Sequence, residues 1–232
     1  MKLSKKIKKL SFVFLLTTFS ISANAALIKS YDFNGDLSDT LGNGVDLIAS
    51  GGSVSGSRYN FLANQGLKLN SALQNTSNYG IEMKLQMTDN LSGYNKLIDF
   101  QNLTSDYGLY IQSGAVNFYT SGPTAGSVSL GADFTIGFAV GAGSMSVFLD
   151  NALLFNVASS QAIPALNILN FFEDDFATGQ NESFAGSVDF IRIHDDSSTF
   201  GAAPITGNAP EPGTLFLLAS GLFGISLRRR SL

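Results

Sequence analysis

The chain of 232 residues has no cysteine, no tryptophan, one histidine and five prolines. Without cysteine it has no disulfide framework, no thiolate metal site and no cysteine nucleophile, so its stability is expected to come from packing. Without tryptophan it lacks the side chain most often used as a sugar-stacking platform. A lone histidine offers little general-base chemistry, because neither a serine motif nor a second titratable partner accompanies it. His194 therefore reads as a strand-end residue in water. What is present is apolar: 44% hydrophobic residues, 11% aromatics and 19 phenylalanines are enough to fill a sizeable core. Twenty-four glycines suit short strands closed by frequent turns.

The amino end opens with Lys2, Lys5, Lys6, Lys8 and Lys9, followed by an apolar run from Leu10 to Ile21 and the small-residue stretch SANAA. Basic region, apolar region and A-x-A site make a secretory signal helix over 1–25, handled by the secretion machinery and cut by signal peptidase after Ala25. The apolar run is short for a bilayer span of roughly 20 residues. Between this signal and Ala209 the chain has six basic and 17 acidic residues, a net charge of −11 that the whole-chain value of −4 conceals. Such a surface repels polyanions and excludes nucleic acid as a partner, while it attracts divalent cations.

The chain ends in APEPGTLFLLASGLFGISLRRRSL, Ala209 to Leu232. Thr214 to Leu227 is uncharged and reaches about 21 Å as a helix, short of a hydrocarbon core of about 30 Å. Arg228, Arg229 and Arg230 act as a membrane stop that stays cytoplasmic, which leaves the preceding domain on the side to which the signal peptide delivers it. The order Pro210-Glu211-Pro212, hydrophobic helix, arginine cluster resembles the PEP-CTERM sorting signal of exported bacterial proteins. Gly213 stands where that family commonly has serine. The resemblance implies processing near the motif by an exosortase, a membrane-embedded cysteine protease or transpeptidase. It also implies a Gram-negative bacterium with an exopolysaccharide matrix. The precursor would be anchored transiently in the inner membrane, and the product would reach the cell envelope or extracellular matrix.

Between the two signals the pattern is strands and turns. In GIEMKLQMT, Ile81, Met83, Leu85 and Met87 alternate with Glu82, Lys84 and Gln86, the period-2 signature of a half-buried strand. Further strands are expected near Leu27 to Phe33, Val45 to Ala49, Tyr59 to Leu62, Gly66 to Leu69, Leu97 to Gln101 and Gly108 to Gln112. The series continues near Val116 to Thr120, Phe134 to Val140, Ser144 to Leu149, Leu153 to Val157, Leu166 to Phe171 and Ser187 to His194. Asp150-Asn151 reads as a tight turn, since both residues tolerate positive φ. In GSVDFIRIHDD the apolar phase shifts between Phe190 and Ile191, the mark of a bulge or of a strand buried on both faces. The fold class is all-β, a two-sheet antiparallel jelly-roll sandwich over 26–196, with a linker over 197–209 and the sorting signal over 210–232.

The stretches YDFNGDLSDTLGNGVDL, GSMSVFLDNALLFNV and FAGSVDFIRIHDD, in that order and spacing, resemble the laminin G-like, concanavalin A-like sandwich domains, with Asn151-Ala152 in place of the usual glycine turn. Members of that superfamily bind glycans, bind proteins or hydrolyse polysaccharides, so the resemblance implies the fold and leaves the activity open.

Glycoside hydrolysis needs two carboxylates flanking the scissile bond. The body has only Glu82, Glu173 and Glu182 as glutamates. FFEDDFATGQ begins like the E-x-D-x-x-E strand of sandwich glucanases with Glu173 and Asp175, but Thr178 occupies the second Glu position and Gly179 its bulged alternative. The reading is therefore of no enzyme. Asp32, Asn34, Asp36, Ser38 and Asp39 open like an EF-hand loop, yet Leu37 stands where the glycine belongs and Asn43 where the bidentate Glu belongs. Laminin G-like domains often carry calcium, which makes Asp32, Asp36, Asp174 and Asp175 candidate calcium ligands beside a reading as solvated turn residues. Tyr94, Tyr107 and Tyr119, near turns or strand ends, are candidates for sugar stacking beside a default reading as surface strand residues. The expected function is an exported, non-enzymatic envelope or matrix protein in adhesion, biofilm or exopolysaccharide association, with a polysaccharide or another envelope protein as partner. A carbohydrate-binding module is the alternative and a polysaccharide hydrolase the third reading.

Overall fold

Alternating apolar residues and glycine-rich turns build an all-β body in the computed structural model, which describes residues 25–200 apart from Ser121 and Thr178. The signal segment, the Pro210-Glu211-Pro212 motif, the apolar run and Arg228 to Arg230 lie outside the described residues. Among the described residues no helix is long and apolar enough to cross a membrane.

The strands run in chain order as β1 Leu27–Tyr31, β2 Ile48–Ala49, β3 Ser53–Ser55, β4 Arg58–Phe61, β5 Leu67–Leu69, β6 Tyr79–Met87, β7 Tyr94–Asp99 and β8 Gly108–Gln112. They continue as β9 Ala115–Tyr119, β10 Thr124–Ala125, β11 Asp133–Gly141, β12 Ser144–Leu149, β13 Ala152–Ala158, β14 Leu169–Phe171 and β15 Gly186–His194. A large sheet has the order β13-β12-β11-β6-β15-β4-β3, with β1 pairing β15 beyond the end of β4. A small sheet has the order β10-β9-β8-β7-β14-β5-β2. All pairings are antiparallel.

The core lies between the sheets, because each strand turns one face inward. Ile81, Met83, Leu85 and Met87 are fully buried on β6, as the alternation requires. Phe138 of the large sheet stacks on Phe118 of the small one at 5.9 Å and meets Phe100 at 5.2 Å, which welds the layers at the centre. At one end Phe61 stacks on Phe172 at 4.7 Å, with Phe184 edge-on at 5.3 Å. Truncating such a ring to alanine costs about 3–5 kcal/mol.

Asp150 and Asn151 adopt φ of 48° and 67° and join β12 to β13 through the pair Leu149↔Ala152, a two-residue hairpin turn. The phase shift of the last strand is a bulge at Asp189, one residue before the position read from the pattern. It turns Asp189 and Phe190 outward: Asp189 ion-pairs with Lys84 at 3.0 Å and Phe190 lies under the Arg192 guanidinium at 3.9 Å. The strand expected from Leu166 is only Leu169–Phe171, because Leu166 and Asn167 take positive φ in a short 3-10 turn.

Residues 197–200 do not behave as linker. Asp196 caps the turn Ser197–Thr199 through the Ser198 amide, and Phe200 comes to rest on the outer face of the large sheet, stacked on Phe148 at 5.4 Å.

Candidate functional site

The outer face of the small sheet carries the densest chemistry. On β7 the residues opposite to the core are Tyr94 and Lys96; on β8 they are Tyr110 and Gln112; on β9, Asn117 and Tyr119. Antiparallel register sets Lys96 opposite Tyr110 and Tyr110 opposite Asn117. The three tyrosine rings meet edge to face: Tyr94 with Tyr110 at 5.6 Å, Tyr94 with Tyr119 at 5.8 Å, Tyr110 with Tyr119 at 6.2 Å. Tyr110 is fully buried while Tyr94 and Tyr119 are half-buried, so two rings present part of a face to solvent over a third that props them. The Tyr110 hydroxyl donates to the Asp106 carbonyl at 2.9 Å.

Beside this platform lies a sealed cluster of charge. Lys96 is completely buried, and its ammonium lies 2.5 Å from Asp175 Oδ2, 3.1 Å from Asp174 Oδ1 and 3.8 Å from Asp99 Oδ2, all three carboxylates equally buried. The Tyr110 ring closes one side at 5.2 Å. Backbone geometry holds the acids in place. Asp99 Oδ1 accepts from the amides of Gln101 and Leu103, Asp174 Oδ2 from the amide of Glu182, and Asp175 Oδ1 from the amide of Ala177. The loop 172–182 that brings Asp174 and Asp175 is in turn pinned to β7, since the Phe172 amide donates to Leu97 and the Lys96 amide to Glu182.

Burial pulls the Lys96 ammonium toward its neutral form, but Asp175, Asp174 and Asp99 outweigh it and hold the value above the ordinary lysine range. Burial likewise raises Asp99, against the opposing pull of the Leu103 amide and Lys96. Asp175 is pushed up by burial yet ends below its usual range, because Lys96 and Asp106 hydrogen-bond to it. Asp106 is raised by burial and by its hydrogen bond to Asp175, against the opposing pull of Lys96. Glu182 is raised by burial and by Asp174.

The four aspartates read from the sequence as calcium ligands do not form one site. Asp174 and Asp175 converge on Lys96, so a lysine ammonium stands where a cation would. Asp32 lies in the first loop, accepting from Ser30 Oγ and Thr40 Oγ1, and Asp36 caps Ser38 through both amide and hydroxyl. Asp39 organises that loop, accepting from the amides of Ser30, Leu41 and Asn43. Among the described residues no group of three or more His, Cys, Asp or Glu side chains is placed to hold a metal ion. The donor set therefore does not fit calcium: the acids are engaged by the Lys96 ammonium, by backbone amides or by hydroxyls.

Glu173 and Asp175 do not lie on a strand but in the loop 172–182, with Asp175 sealed against Lys96. His194 is not in water. It is buried on the outer face of the large sheet beneath Phe200, and among the described residues neither ring nitrogen has a hydrogen-bond partner. Tyr107 is 36% exposed at the edge of the cluster and Phe176 68% exposed beside it. Lys96 and Tyr110 were missed from sequence, because a single lysine and a single tyrosine in apolar strands carry no pattern that distinguishes them from surface residues.

Residues 208–230 match the PEP-CTERM protein-sorting motif. The chain thus carries this signal, which marks proteins for export and exosortase processing. No curated protein matches the sequence. Among solved structures, domain 4 of AbnA, a GH43 extracellular arabinanase from Geobacillus stearothermophilus in complex with arabinotriose, is similar at a TM-score of 0.55 and 17% identity, over 75% of this chain and 95% of that one. Trypanosoma rangeli sialidase is similar at 0.60 and 13% identity, over 75% of this chain but only 32% of the sialidase. The binding domain of botulinum neurotoxin serotype D is similar at 0.55 and 13% identity, over 74% of this chain and 48% of that one. At these identities the likeness shows the fold alone, a jelly-roll-type sandwich.

Proposed function

We propose that the chain is an exported, non-enzymatic protein of the cell envelope or extracellular matrix whose sandwich holds a polysaccharide through the outer face of the small sheet. The observation that carries this reading is the tyrosine platform Tyr94, Tyr110 and Tyr119, with amide and hydroxyl groups of Gln112, Asn117 and Thr124 on the neighbouring positions. Ring faces suit the apolar faces of sugars, and the amides suit their hydroxyls. The arabinanase domain, a neighbour in fold, was solved in complex with arabinotriose. The non-enzymatic part is supported by the state of the acids: Asp99, Asp174 and Asp175 are buried around Lys96, and none stands open to a glycosidic bond as the hydrolytic pair must. The sorting signal supports the exported part of this reading.

The test is a glycan array followed by pull-down with extracellular polysaccharide. Tyr94→Ala and Tyr119→Ala are each expected to weaken retention roughly fivefold, about 1 kcal/mol per ring, with no reducing sugar released by any variant. Retention untouched by both changes would remove the platform, and release of reducing ends by the wild type would make the protein a hydrolase.

A further inference from the structure

Lys96 is a primary amine with no exposure, held against carboxylates that are also without exposure, in an exported chain that has no cysteine to cross-link it. We propose that Lys96 and Asp175 join covalently, the Nζ of one forming an amide with the Cγ of the other and one water leaving.

The juxtaposition supplies what the reaction needs. Asp175 Oδ2 is 2.5 Å from Nζ, so the nitrogen rests on the carboxyl group it attacks and the encounter is intramolecular. Asp174 Oδ1, 3.1 Å away on another side, accepts the first ammonium proton and frees the nitrogen lone pair. The surrounding acids favour the ammonium, so the neutral amine is the minor form, and its fixed contact with the Asp175 carboxyl is what lets that form react. Asp106 hydrogen-bonds Asp175, and because two carboxyl groups share such a bond only through a proton, that proton is assigned to Asp106, beside the carboxyl that must lose an oxygen.

The atoms balance without a co-reactant. Nζ bonds to Cγ; the C–O bond to the departing oxygen breaks; that oxygen leaves as water with one proton from Asp106 and one from the nitrogen. The proton parked on Asp174 returns to Asp106. An ammonium and a carboxylate are consumed, an amide and a water are produced, and the two other acids end as they began. Asp106 is only half-buried, which gives the water a way out. The product ties β7 to the loop that follows β14 across 79 residues of sequence, a clasp on the face assigned above to ligand. It stands whether or not that face binds sugar.

The experiment is mass spectrometry of the full chain purified in the folded state and then denatured. Wild type is expected to be lighter by one water than its sequence requires, and its digest to yield one branched peptide linking Lys96 to Asp175 that survives hydroxylamine. Lys96→Arg keeps the positive charge and should show the unlinked mass, its melting curve reporting whether it folds. Asp106→Asn, which leaves the reacting pair intact, should link many-fold more slowly. A folded wild type with separate Lys96 and Asp175 peptides overturns the proposal. So does a water loss that maps elsewhere or is cleaved by hydroxylamine, as a succinimide is. Unchanged linking in Asp106→Asn removes that residue from the mechanism.

Discussion

The ring of Phe200 lies on the backbone of Gly137, so close that a Cβ there would stand 2.8 Å from the ring. Gly80 leaves a second gap under the same ring, at 3.2 Å, and Phe148 stacks from the side. The two glycines thus cut a seat in the outer face of the large sheet, and the end of the body folds into it. Gly137→Ala should cost about 1–3 kcal/mol by crowding the ring and should expose the chain near Phe200 to protease. In a Phe200→Ala background the same change should cost much less, because the clash is gone. Denaturant unfolding of the four proteins checks the coupling; additive costs would mean that the glycine matters for the strand and not for the seat.

The same seat seals His194. Burial lowers the imidazole pKa, the Arg192 guanidinium lowers it further, and Asp195 and Asp196 oppose both. A depressed value means that the fold prefers the neutral ring. Its contribution is present above the unfolded value of about 6.5 and is lost as pH falls through the folded value. Asp99, Asp106 and Glu182 have raised values, and their contributions run the other way, lost as pH rises through the folded values. The prediction is therefore a difference: between about pH 7 and about pH 5 the wild type should lose melting temperature relative to His194→Phe, whose ring also suits an edge contact with Phe200. Parallel pH profiles for the two proteins would count against it.

Much of the fold was legible because one face of each strand had to be apolar. β8 and β12 have the boundaries read from alternation, and the Asp150-Asn151 turn has the positive φ that those residue types allow. The strands not anticipated, β3 and β10, are three and two residues long, too short to display a period. At the site the sequence pointed to Asp174 and Asp175 as acids awaiting a cation, and to Tyr94 and Tyr119 as rings near strand ends. It gave no sign that the cation is Lys96, 79 residues away from Asp175, since that pairing exists only once β14 lies beside β7. Nor did it mark Tyr110, which earns its place through register with Lys96.

Export makes the tail testable without the sandwich. The motif match at 208–230 spans Pro210, Glu211 and Pro212 together with Arg228 to Arg230. Replacing the three motif residues by alanine should leave a membrane-retained precursor whose amino-terminal signal is still removed, since signal peptidase reads a different site. Mass spectrometry of membrane and secreted fractions reads both ends. A mature wild-type protein that still ends in the arginines would show that no processing occurs there.

The acidic body, at −11, suggests by charge alone a protein stabilised by divalent cations. The geometry argues otherwise. A calcium ion takes six to eight oxygen ligands, and the oxygens that the sequence offered are engaged: Asp174 and Asp175 by the Lys96 ammonium, Asp36 by Ser38, Asp32 by Ser30 and Thr40. A true site at free calcium 100 times its dissociation constant would add about 2.7 kcal/mol and raise the melting midpoint by a few degrees. The expected result is no such rise: midpoints of the 26–209 body in chelator, calcium and magnesium should coincide at matched ionic strength, which cancels simple screening of the negative surface. Lys96→Met would then sharpen the comparison. Removing the ammonium leaves Asp99, Asp174 and Asp175 facing one another without a counter-charge, so this variant should melt lower than the wild type and regain part of the loss in calcium. A calcium-specific rise in the wild type itself would place a metal on oxygens other than these.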